Sequence, residues 1–488
     1  MGKEEKKKKR LTRDQIIALY QAGPEAMVSL VEYLQDEIDS LSLRVQALEI
    51  QNKKNSRNSS KPPSSDGMKK PPKQSRKSSG KKPGGQEGHE GSTLKMVETP
   101  DRIVKHTVER CGRCGSSLPE SSRIDERRRQ VFDIPPISVE VTEHRSEVKQ
   151  CSCCGELNEG EFPSDVTHPT QYGPRLKAIG LYLKNYALLP YERSGELLED
   201  LFGTPISVGT LTSINHKAGK RVGDVGERIK KALTGESVGH FDETGMRVCG
   251  RLNWLHTASS ESLTSYHTHP KRGGEAMEAG GVLPFFNGTA VHDGWKSYFA
   301  YESCSHSLCN AHHIRELTCM HEEYGQEWAK QMIDLLLKIK KRRDSSSKES
   351  FSDEELTEFE SAYRSIVQEG LQANPLPEPP KKKRRGRVKK SKPRNLLERL
   401  LVYERATLAF MRDFSVPFDN NLGERDLRMM KVQQKVSGTF RSEEGARSFC
   451  ALRSYISTAR KQGHNVMSAL EDIFTDKKLL PQISPINS

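Results

Sequence analysis

The sequence predicts a multidomain α+β protein, and three patterns carry that prediction. A heptad repeat of apolar residues lies near the N-terminus, two Cys-x-x-Cys pairs follow, and a strand-rich stretch at 237–310 is flanked by helical sequence. A chain of 488 residues is long enough for two to four domains of about 100–200 residues each. We therefore expect an N-terminal coiled coil, a zinc-ribbon-like module, a helical domain and an α/β core with a helical insertion.

Composition indicates which class of partner the protein binds and in which cellular compartment it is located. Lys and Arg total 78 against 65 Asp and Glu, and the net charge of +13 favours a polyanionic partner, either nucleic acid or an anionic membrane surface. The sequence has no apolar stretch of about 18 residues, so we expect no transmembrane helix. The basic N-terminus lacks the apolar run of a secretory signal. Ten cysteines in such a chain indicate metal ligands and free thiols rather than disulfides. We expect a cytoplasmic protein without a membrane partner.

Residues 1–52 are predicted to form a helical region that self-associates as a coiled coil. Seven apolar residues are spaced alternately by four and three positions, as in a heptad repeat: Met27, Val31, Leu34, Ile38, Leu41, Val45 and Leu48. The alternative is an amphipathic helix packed on its own domain. The coiled coil is favoured because residues 53–100 form a polar, basic linker that offers no local core. That linker is either a solvated tether or a loose contact for phosphates.

Residues 101–165 are predicted to form the zinc-ribbon-like module. Two Cys-x-x-Cys pairs are typical of a tetrahedral thiolate site for structural Zn²⁺: Cys111 with Cys114, and Cys151 with Cys154. The 36 residues between the pairs exceed the usual spacing, but strand-like sequence at 131–144 suits a ribbon with its knuckles on two hairpins. Cys153 leaves the fourth ligand open, and free cysteines are the alternative to a zinc site.

Residues 166–235 are predicted to form the helical domain. Within it, the segment 194–219 shows a helix, a turn at Gly203 and a second helix capped by Ser207. This pattern fits a helix-turn-helix that places its second helix in a DNA groove. It also fits any other pair of antiparallel helices, so both interpretations are open from the sequence.

The strand-rich stretch at 236–313 is predicted to form the first part of an α/β core. Its strand signals lie in five segments: SVGHFDETGMRV, RLNWLHTAS, SLTSYHTH, GTAVHDG and HSLCNAH. Helical sequence resumes at Ile314, so residues 314–394 are predicted to form a helical insertion that ends in a basic segment at 379–394. Residues 395–488 are predicted to complete the core and add C-terminal helices.

Three acidic residues in this core are candidates for divalent-metal chemistry. Asp242 and Asp293 lie in strand-like sequence, and Glu424 lies where a helix begins. Carboxylates are the ligands that Mg²⁺ and Mn²⁺ prefer, and two such ions support displacement at phosphorus. The chain has neither a GxxxxGK[ST] phosphate-binding loop nor a GxSxG nucleophile elbow, so no motif indicates nucleotide hydrolysis or serine-hydrolase chemistry.

Basic residues share one predicted helix face with Glu424, at positions i+4, i+7 and i+11: Arg428, Lys431 and Lys435. Such a face fits a metal held against a nucleic-acid backbone. The alternative is a solvated face that carries an ordinary ion pair.

A second possible metal site lies close to Asp293. His292 precedes that acid, and a further cluster comprises Cys304, Cys309, His312 and His313. The spacing of this cluster is not that of a standard zinc site. We therefore predict buried thiols and a structural histidine there.

Several long strings of this sequence resemble the transposase of the insertion sequence 66 family. In the predicted core they are HFDETGMRV, VHDGWKSYFAYE, HSLCNAHHIREL, GRVKKSKPRNLLERL and DFSVPFDNNLGERDLRMMKVQQKVSGTFRSEEGA. Near the N-terminus they are NSRNSSKPPSSDG and KKPGGQEGHEG. The similarity runs from about residue 25 to about residue 475, which is nearly the whole chain.

The resemblance implies a bacterial DDE transposase with a ribonuclease-H-like α/β catalytic core. It implies that Asp242, Asp293 and Glu424 are the catalytic acids and hold two Mg²⁺ or Mn²⁺ ions. Because 131 positions separate Asp293 from Glu424, it also implies an insertion in the core. Four basic residues near the third acid would contact DNA: Arg425, Arg428, Lys431 and Lys435.

The implied reaction has two steps. Cleavage at an element end leaves a 3′-OH, which then attacks a phosphodiester of the target DNA. The expected partners are DNA (terminal inverted repeats and target), a second copy of the chain and two helper proteins encoded by the same element, all at the nucleoid. The alternatives are a non-enzymatic DNA-binding regulator and a structure-selective nuclease on the same fold.

Overall fold

The overall structure, a computed structural model, is a mixed α/β arrangement. It describes residues 11–59, 94–120, 124–135, 137–376, 390–475, 477 and 479. Most of the predicted linker at 53–100 and of the basic segment at 379–394 lies outside the described residues. Within those described ranges, no helix is both long and apolar enough to cross a membrane.

Two helices begin the described chain, α1 at Arg13–Gln21 and α2 at Pro24–Lys53. Gly23 has a φ of 107°, which favours glycine, and Pro24 then starts α2 with its fixed φ. Six heptad residues of α2 are 46–60% exposed: Val31, Leu34, Ile38, Leu41, Val45 and Leu48. The predicted helix is confirmed, whereas its pairing with a second chain stays a prediction.

The cysteine-rich region contains one short hairpin, formed by β1 at Val148–Gln150 and β2 at Leu157–Glu159. An isolated bridge between Arg110 and Ser117 flanks the first cysteine pair in a similar way. The strand predicted at 131–144 is wrong, because the described residues of that segment form no strand. Consecutive prolines at 135 and 136 remove two backbone donors there, which disfavours a paired strand.

Four helices follow: α3 (Pro174–Leu181), α4 (Tyr191–Phe202), α5 (Val208–Arg221) and α6 (Gly223–Thr234). Gly203 ends α4 with a φ of 62°, and Ser207 caps α5 by accepting the N–H of Thr210 at 3.1 Å. The predicted helix, turn and capped second helix are therefore confirmed. One side of α5 is buried, since a Cβ added to Gly219 would lie 2.9 Å from Ser448.

Five strands form one mixed sheet in the order β5-β4-β3-β6-β7. They are β3 (Val238–Val248), β4 (Arg251–Ser259), β5 (Thr264–His269), β6 (Thr289–His292) and β7 (Ser305–Leu308). The first three form an antiparallel meander, whereas β6 and β7 run parallel to β3. Cys249 and Gly250 both have positive φ, as the two-residue turn between β3 and β4 requires. The five predicted strands are confirmed, although the last ends at Leu308.

One short α-helix, α7 (Gly274–Gly280), lies between β5 and β6, and six α-helices lie between β7 and the C-terminal helices. These are α8 (Asn310–Tyr324), α9 (Glu327–Asp344), α10 (Asp353–Ala373), α11 (Lys392–Val402), α12 (Glu404–Thr407) and α13 (Ala409–Arg412). They share an apolar core of their own, built around Trp328, Tyr363 and Leu397. The predicted start at Ile314 is wrong, since α8 begins at Asn310 and its polar first turn concealed the helix.

Three C-terminal helices complete the fold: α14 (Asn421–Val436), α15 (Glu443–Lys461) and α16 (Val466–Asp472). Helix α14 packs on β3 and β4, and Gln434 donates its side-chain amide to the Gly245 carbonyl at 3.0 Å. Helix α15 packs on β5, where Ser454 Oγ accepts the Tyr266 N–H at 2.8 Å. The helix start predicted around Glu424 is confirmed.

Candidate active site

Asp242 and Asp293 lie beside each other on neighbouring parallel strands. Strand β3 pairs with β6 so that His240 is opposite Val291, and the same register two residues further on brings Asp242 beside Asp293. Neighbouring strands are about 4.8 Å apart, so the two carboxylates start from adjacent backbones. Strand β6 ends at this point, because Asp293 Oδ1 accepts the N–H of Trp295 at 2.9 Å and turns the chain.

Asn420 holds the helix of Glu424, the third acid, beside Asp242 and Asp293. Its side-chain amide donates to the Phe241 carbonyl at 2.9 Å, and its Oδ1 lies 2.8 Å from His240 Nδ1. Helix α14 begins at the next residue, so its first turn, which carries Glu424, is held against β3 beside Asp242. Gly423 lets the turn close over this amide, since a Cβ there would lie 3.0 Å from Asn420 Oδ1.

The electrostatics of the three acids reflect their convergence. Burial raises the pKa of Asp242 well above its usual value, and the negative charges of Glu243, Asp293 and Glu424 raise that pKa further. The side chains of Asp293 and Glu424 are 30% and 29% exposed, so the group opens to solvent. Crowded oxygen donors that repel one another and face solvent fit hard divalent cations such as Mg²⁺ or Mn²⁺.

Glu243 and Arg272 support this group, and sequence reasoning missed both. The Glu243 side chain is fully buried, accepts from Arg272 Nε at 2.7 Å and accepts the hydroxyl of Tyr298. Arg272 also lies 3.8 Å from Asp293 through Nη2, and its guanidinium stacks over Trp295 at 4.0 Å. An acid next to another acid, and an arginine in a loop, give no spacing signal that could have identified them.

Cys309 and His312 also lie at this site. Glu424 Oε1 is 3.6 Å from His312 Nδ1 and 3.9 Å from Arg315 Nη2. Cys309, His312 and Glu424 each offer one metal-ligand atom, and these three atoms lie within 4.8 Å of one another. The available signal was the spacing C-x-x-H directly after β7, the strand parallel to β6. That spacing places Cys309 at the N-cap of α8 and His312 on its first turn.

The other members of that cysteine and histidine cluster have internal partners. Cys304 Sγ donates to the Tyr301 carbonyl at 3.4 Å, and burial raises the pKa of this thiol. His313 Nδ1 lies 3.1 Å from Asn310 Oδ1. Burial lowers the pKa of His313 to about 3, so its ring stays neutral. The buried thiols that we predicted are Cys304 and Cys309, and the structural histidine is His313.

Asp426, two residues after Glu424, has a different environment. It accepts from Lys461 Nζ at 2.7 Å and from Ser259 Oγ at 2.7 Å, and its side chain is 12% exposed. These contacts join α14 to α15 and to the end of β4. The two acids of the segment GERD are thus separated: Glu424 faces the other acids, and Asp426 forms an internal ion pair.

The four predicted DNA-contact residues all lie on α14, and among the described residues none of them forms an ion pair. Arg425, Arg428 and Lys435 are exposed, whereas Lys431 is half-buried and burial lowers its pKa. Because these cations lack acidic partners on the described surface, they present net positive charge beside Glu424.

The two cysteine pairs form turns of the same local geometry. In each turn the first cysteine's carbonyl accepts the N–H of a glycine with positive φ: Cys111 with Gly115 at 2.9 Å, and Cys151 with Gly155 at 2.8 Å. Cys114 and Cys154 hold equivalent positions, which supports Cys154 rather than Cys153 as a ligand. Each turn fits a thiolate knuckle, but the described structure does not gather three of these sulfurs within 4.8 Å.

Sequence models of known families match three regions of this chain. The sequence model of the transposase IS66 family matches residues 169–448, which include all three acids. The model of the zinc-finger binding domain of transposase IS66 matches residues 109–155, which include both cysteine pairs. A family of unknown function (DUF6444) matches residues 6–95. The comparison with curated proteins gave no match. Because the first match covers more than half of the 488 residues, the chain belongs to the transposase IS66 family.

Proposed function

We propose that this transposase cleaves DNA at element ends by a metal-dependent reaction and transfers the resulting 3′-OH to target DNA. The observation that carries the proposal is the convergence of Asp242, Asp293 and Glu424 from two strands and a helix. A three-stranded meander followed by two strands parallel to its first strand is also the sheet expected of a ribonuclease-H-like core.

The chain's own residues have distinct parts in this proposal. Asp242, Asp293 and Glu424 would hold two Mg²⁺ or Mn²⁺ ions, for which their oxygen donors are suited. Such ions, when bound, activate the attacking oxygen and neutralise charge on the phosphodiester. Asn420 holds the helix of Glu424 against β3, and Arg272 supports Asp293.

DNA would lie along the exposed side of α14. Its candidate phosphate contacts are the cations without acidic partners in the described structure: Arg425, Arg428, Lys431 and Lys435. The second helix of the pair α4–α5 is a candidate for reading the terminal repeats. The cysteine knuckles would bind structural Zn²⁺ through Cys111, Cys114, Cys151 and Cys154.

Self-association would bring two element ends together. The exposed apolar seam of α2 suits pairing with a second copy through a coiled coil. We also propose that two helper proteins encoded by the same element assist the reaction in the bacterial cytoplasm, at the nucleoid.

The test is cleavage and strand transfer on DNA that carries the terminal repeats, with Mg²⁺ present. Asp242→Ala and Asp293→Asn should each abolish both reactions. Glu261→Gln, which removes an exposed acid from the turn between β4 and β5, is the matched control and should leave both reactions intact. Cleavage that survives in Asp242→Ala would refute the assignment.

The same assay separates the alternatives. A structure-selective nuclease would cut DNA without joining the 3′-OH to a target. A DNA-binding regulator would bind in a salt-dependent manner and show no metal-dependent cleavage.

A further inference from the structure

The ligand atoms of Cys309, His312 and Glu424 form a second potential metal site at the edge of the acidic group. Cys309 is the N-cap residue of α8, His312 lies on the first turn of that helix, and Glu424 lies on the first turn of α14. One donor atom of each lies within 4.8 Å of the other two. Two helices from distant parts of the sequence therefore bring together a sulfur, a nitrogen and an oxygen.

Two of these donor atoms are buried without a hydrogen-bond partner. His312 Nδ1 and Glu424 Oε1 accept or donate no hydrogen bond among the described residues, although each atom is shielded from solvent. Their separation is 3.6 Å. Buried polar atoms normally have a hydrogen-bond partner, and an orphaned pair that face each other indicates a missing group between them.

The separation of the nitrogen and oxygen donors suits a four-coordinate ion, and the sulfur lies within 4.8 Å of both. Bonds of about 2.0–2.3 Å to a tetrahedral ion place two ligand atoms about 3.3–3.8 Å apart. The 3.6 Å between His312 Nδ1 and Glu424 Oε1 lies in that range. The two donor atoms are shielded from solvent, although the side chains that carry them are 19% and 29% exposed.

A backbone contact positions the Cys309 sulfur, and a nearby positive charge, that of Arg315, would oppose a bound cation. Cys309 Sγ accepts the backbone N–H of Asn420 at 3.2 Å, which ties it to the start of α14. Arg315 Nη2 lies 3.9 Å from Glu424 Oε1 and would shift away from a bound cation or turn to the other carboxylate oxygen. A thiolate, an imidazole and a carboxylate are the donors of Zn²⁺ and Co²⁺ sites, whereas Mg²⁺ avoids sulfur.

We infer that Cys309, His312 and Glu424 bind one transition-metal ion of the Zn²⁺ class, next to the Mg²⁺ site and sharing Glu424 with it. Binding displaces the thiol proton of Cys309 to solvent. The site goes beyond the proposed function, because two of its three ligands have no part in that reaction. Its test measures binding rather than cleavage, so its failure and the failure of the proposed function are distinguishable.

The experiment is titration of the full-length protein with Co²⁺, followed by thiolate-to-cobalt charge-transfer absorption. Cys114→Ser disables the knuckle site and should leave a charge-transfer band from Cys309. Cys309→Ser in addition should remove that band, whereas Cys304→Ser, a change to a buried thiol with an internal partner, should not. His312→Gln should weaken the remaining Co²⁺ binding at least about tenfold, since even outer-shell changes cost metal sites about 10–100-fold.

His312→Gln keeps the test valid if Cys309→Ser does not fold, because His312 is partly exposed at the start of α8. Circular dichroism and the thermal unfolding midpoint check the fold of every variant. The inference is overturned if Cys114→Ser alone abolishes the thiolate band. It is also overturned if the double variant Cys114→Ser, His312→Gln binds Co²⁺ as tightly as Cys114→Ser does.

Discussion

Asn420 donates its side-chain amide to the carbonyl of Phe241 at 2.9 Å, one residue before Asp242 on β3. The Asn420 side chain is buried, and its Oδ1 pairs with His240 Nδ1 at 2.8 Å. The acids themselves repel one another when no cation is bound. The neutral amide ties the start of α14, and with it Glu424, to β3 beside Asp242.

Replacement of this amide should disturb both stability and the proposed site. Asn420→Ala leaves the Phe241 carbonyl and the His240 ring without partners, which costs about 2–4 kcal/mol of unfolding free energy. Cleavage should fall more than this loss alone explains, because the first turn of α14 moves. Asn421→Ala, an exposed neighbour, is the control, and urea unfolding together with the cleavage assay provides the measurement. Wild-type behaviour of Asn420→Ala in both assays would contradict this assignment.

Removal of the negative charge at Glu424 and at Asp426 should have different effects on stability and on cleavage. Asp426→Asn leaves the Lys461 ammonium buried without its counter-ion and should destabilise the protein by about 3 kcal/mol. Glu424→Gln removes one member of a crowded acidic group and should leave metal-free stability unchanged or slightly higher. Cleavage should be lost in Glu424→Gln under conditions where Asp426→Asn is still folded. Thermal unfolding without metal compares the two variants, and equal destabilisation by both would count against the distinction.

The cations of α14 should control the salt dependence of DNA binding. Arg428→Gln and Lys431→Gln should each weaken binding to every DNA sequence and lower the slope of log affinity against log salt by about 1. Lys231→Gln on α6 removes the same charge from an exposed site away from α14 and should leave the slope unchanged. Fluorescence anisotropy at several salt concentrations measures the slopes. A sequence-dependent loss would indicate base contacts instead.

Two histidines should make the sheet sensitive to acid. His256 and His267 are cross-strand partners on β4 and β5, and burial lowers the pKa of each to about 4. Unfolded histidine titrates near 6.5, so stability is complete above about pH 6.5 and is lost as the pH falls toward about 4. His267→Gln should reduce that loss by about 1–2 kcal/mol at pH 5. Urea unfolding at pH 7.5 and pH 5 tests this, with a substitution of an exposed histidine, His168→Gln, as control.

Local pattern predicted much of the fold. Apolar and β-branched alternation identified the five strands, and glycine and serine at the ends of α4 and α5 identified that helix pair. These features depend on neighbours within a few positions, so sequence alone carries them. The two errors have local causes as well: the polar first turn of α8 hid its start at Asn310, and paired prolines at 135 and 136 disfavour a strand in an otherwise strand-like segment.

The sequence by itself determined most of the secondary structure, the cysteine pairs and the three candidate acids, because short-range spacing and motif identity encode them. Only the tertiary structure decided that Glu424 rather than Asp426 turns toward Asp242, that Arg272 links Glu243 to Asp293, and that Cys309 and His312 meet Glu424. The physical reason is that these contacts join residues at least 21 positions apart in the chain, through strand register and helix packing. No local pattern along the chain reports which side of a packed helix faces the sheet.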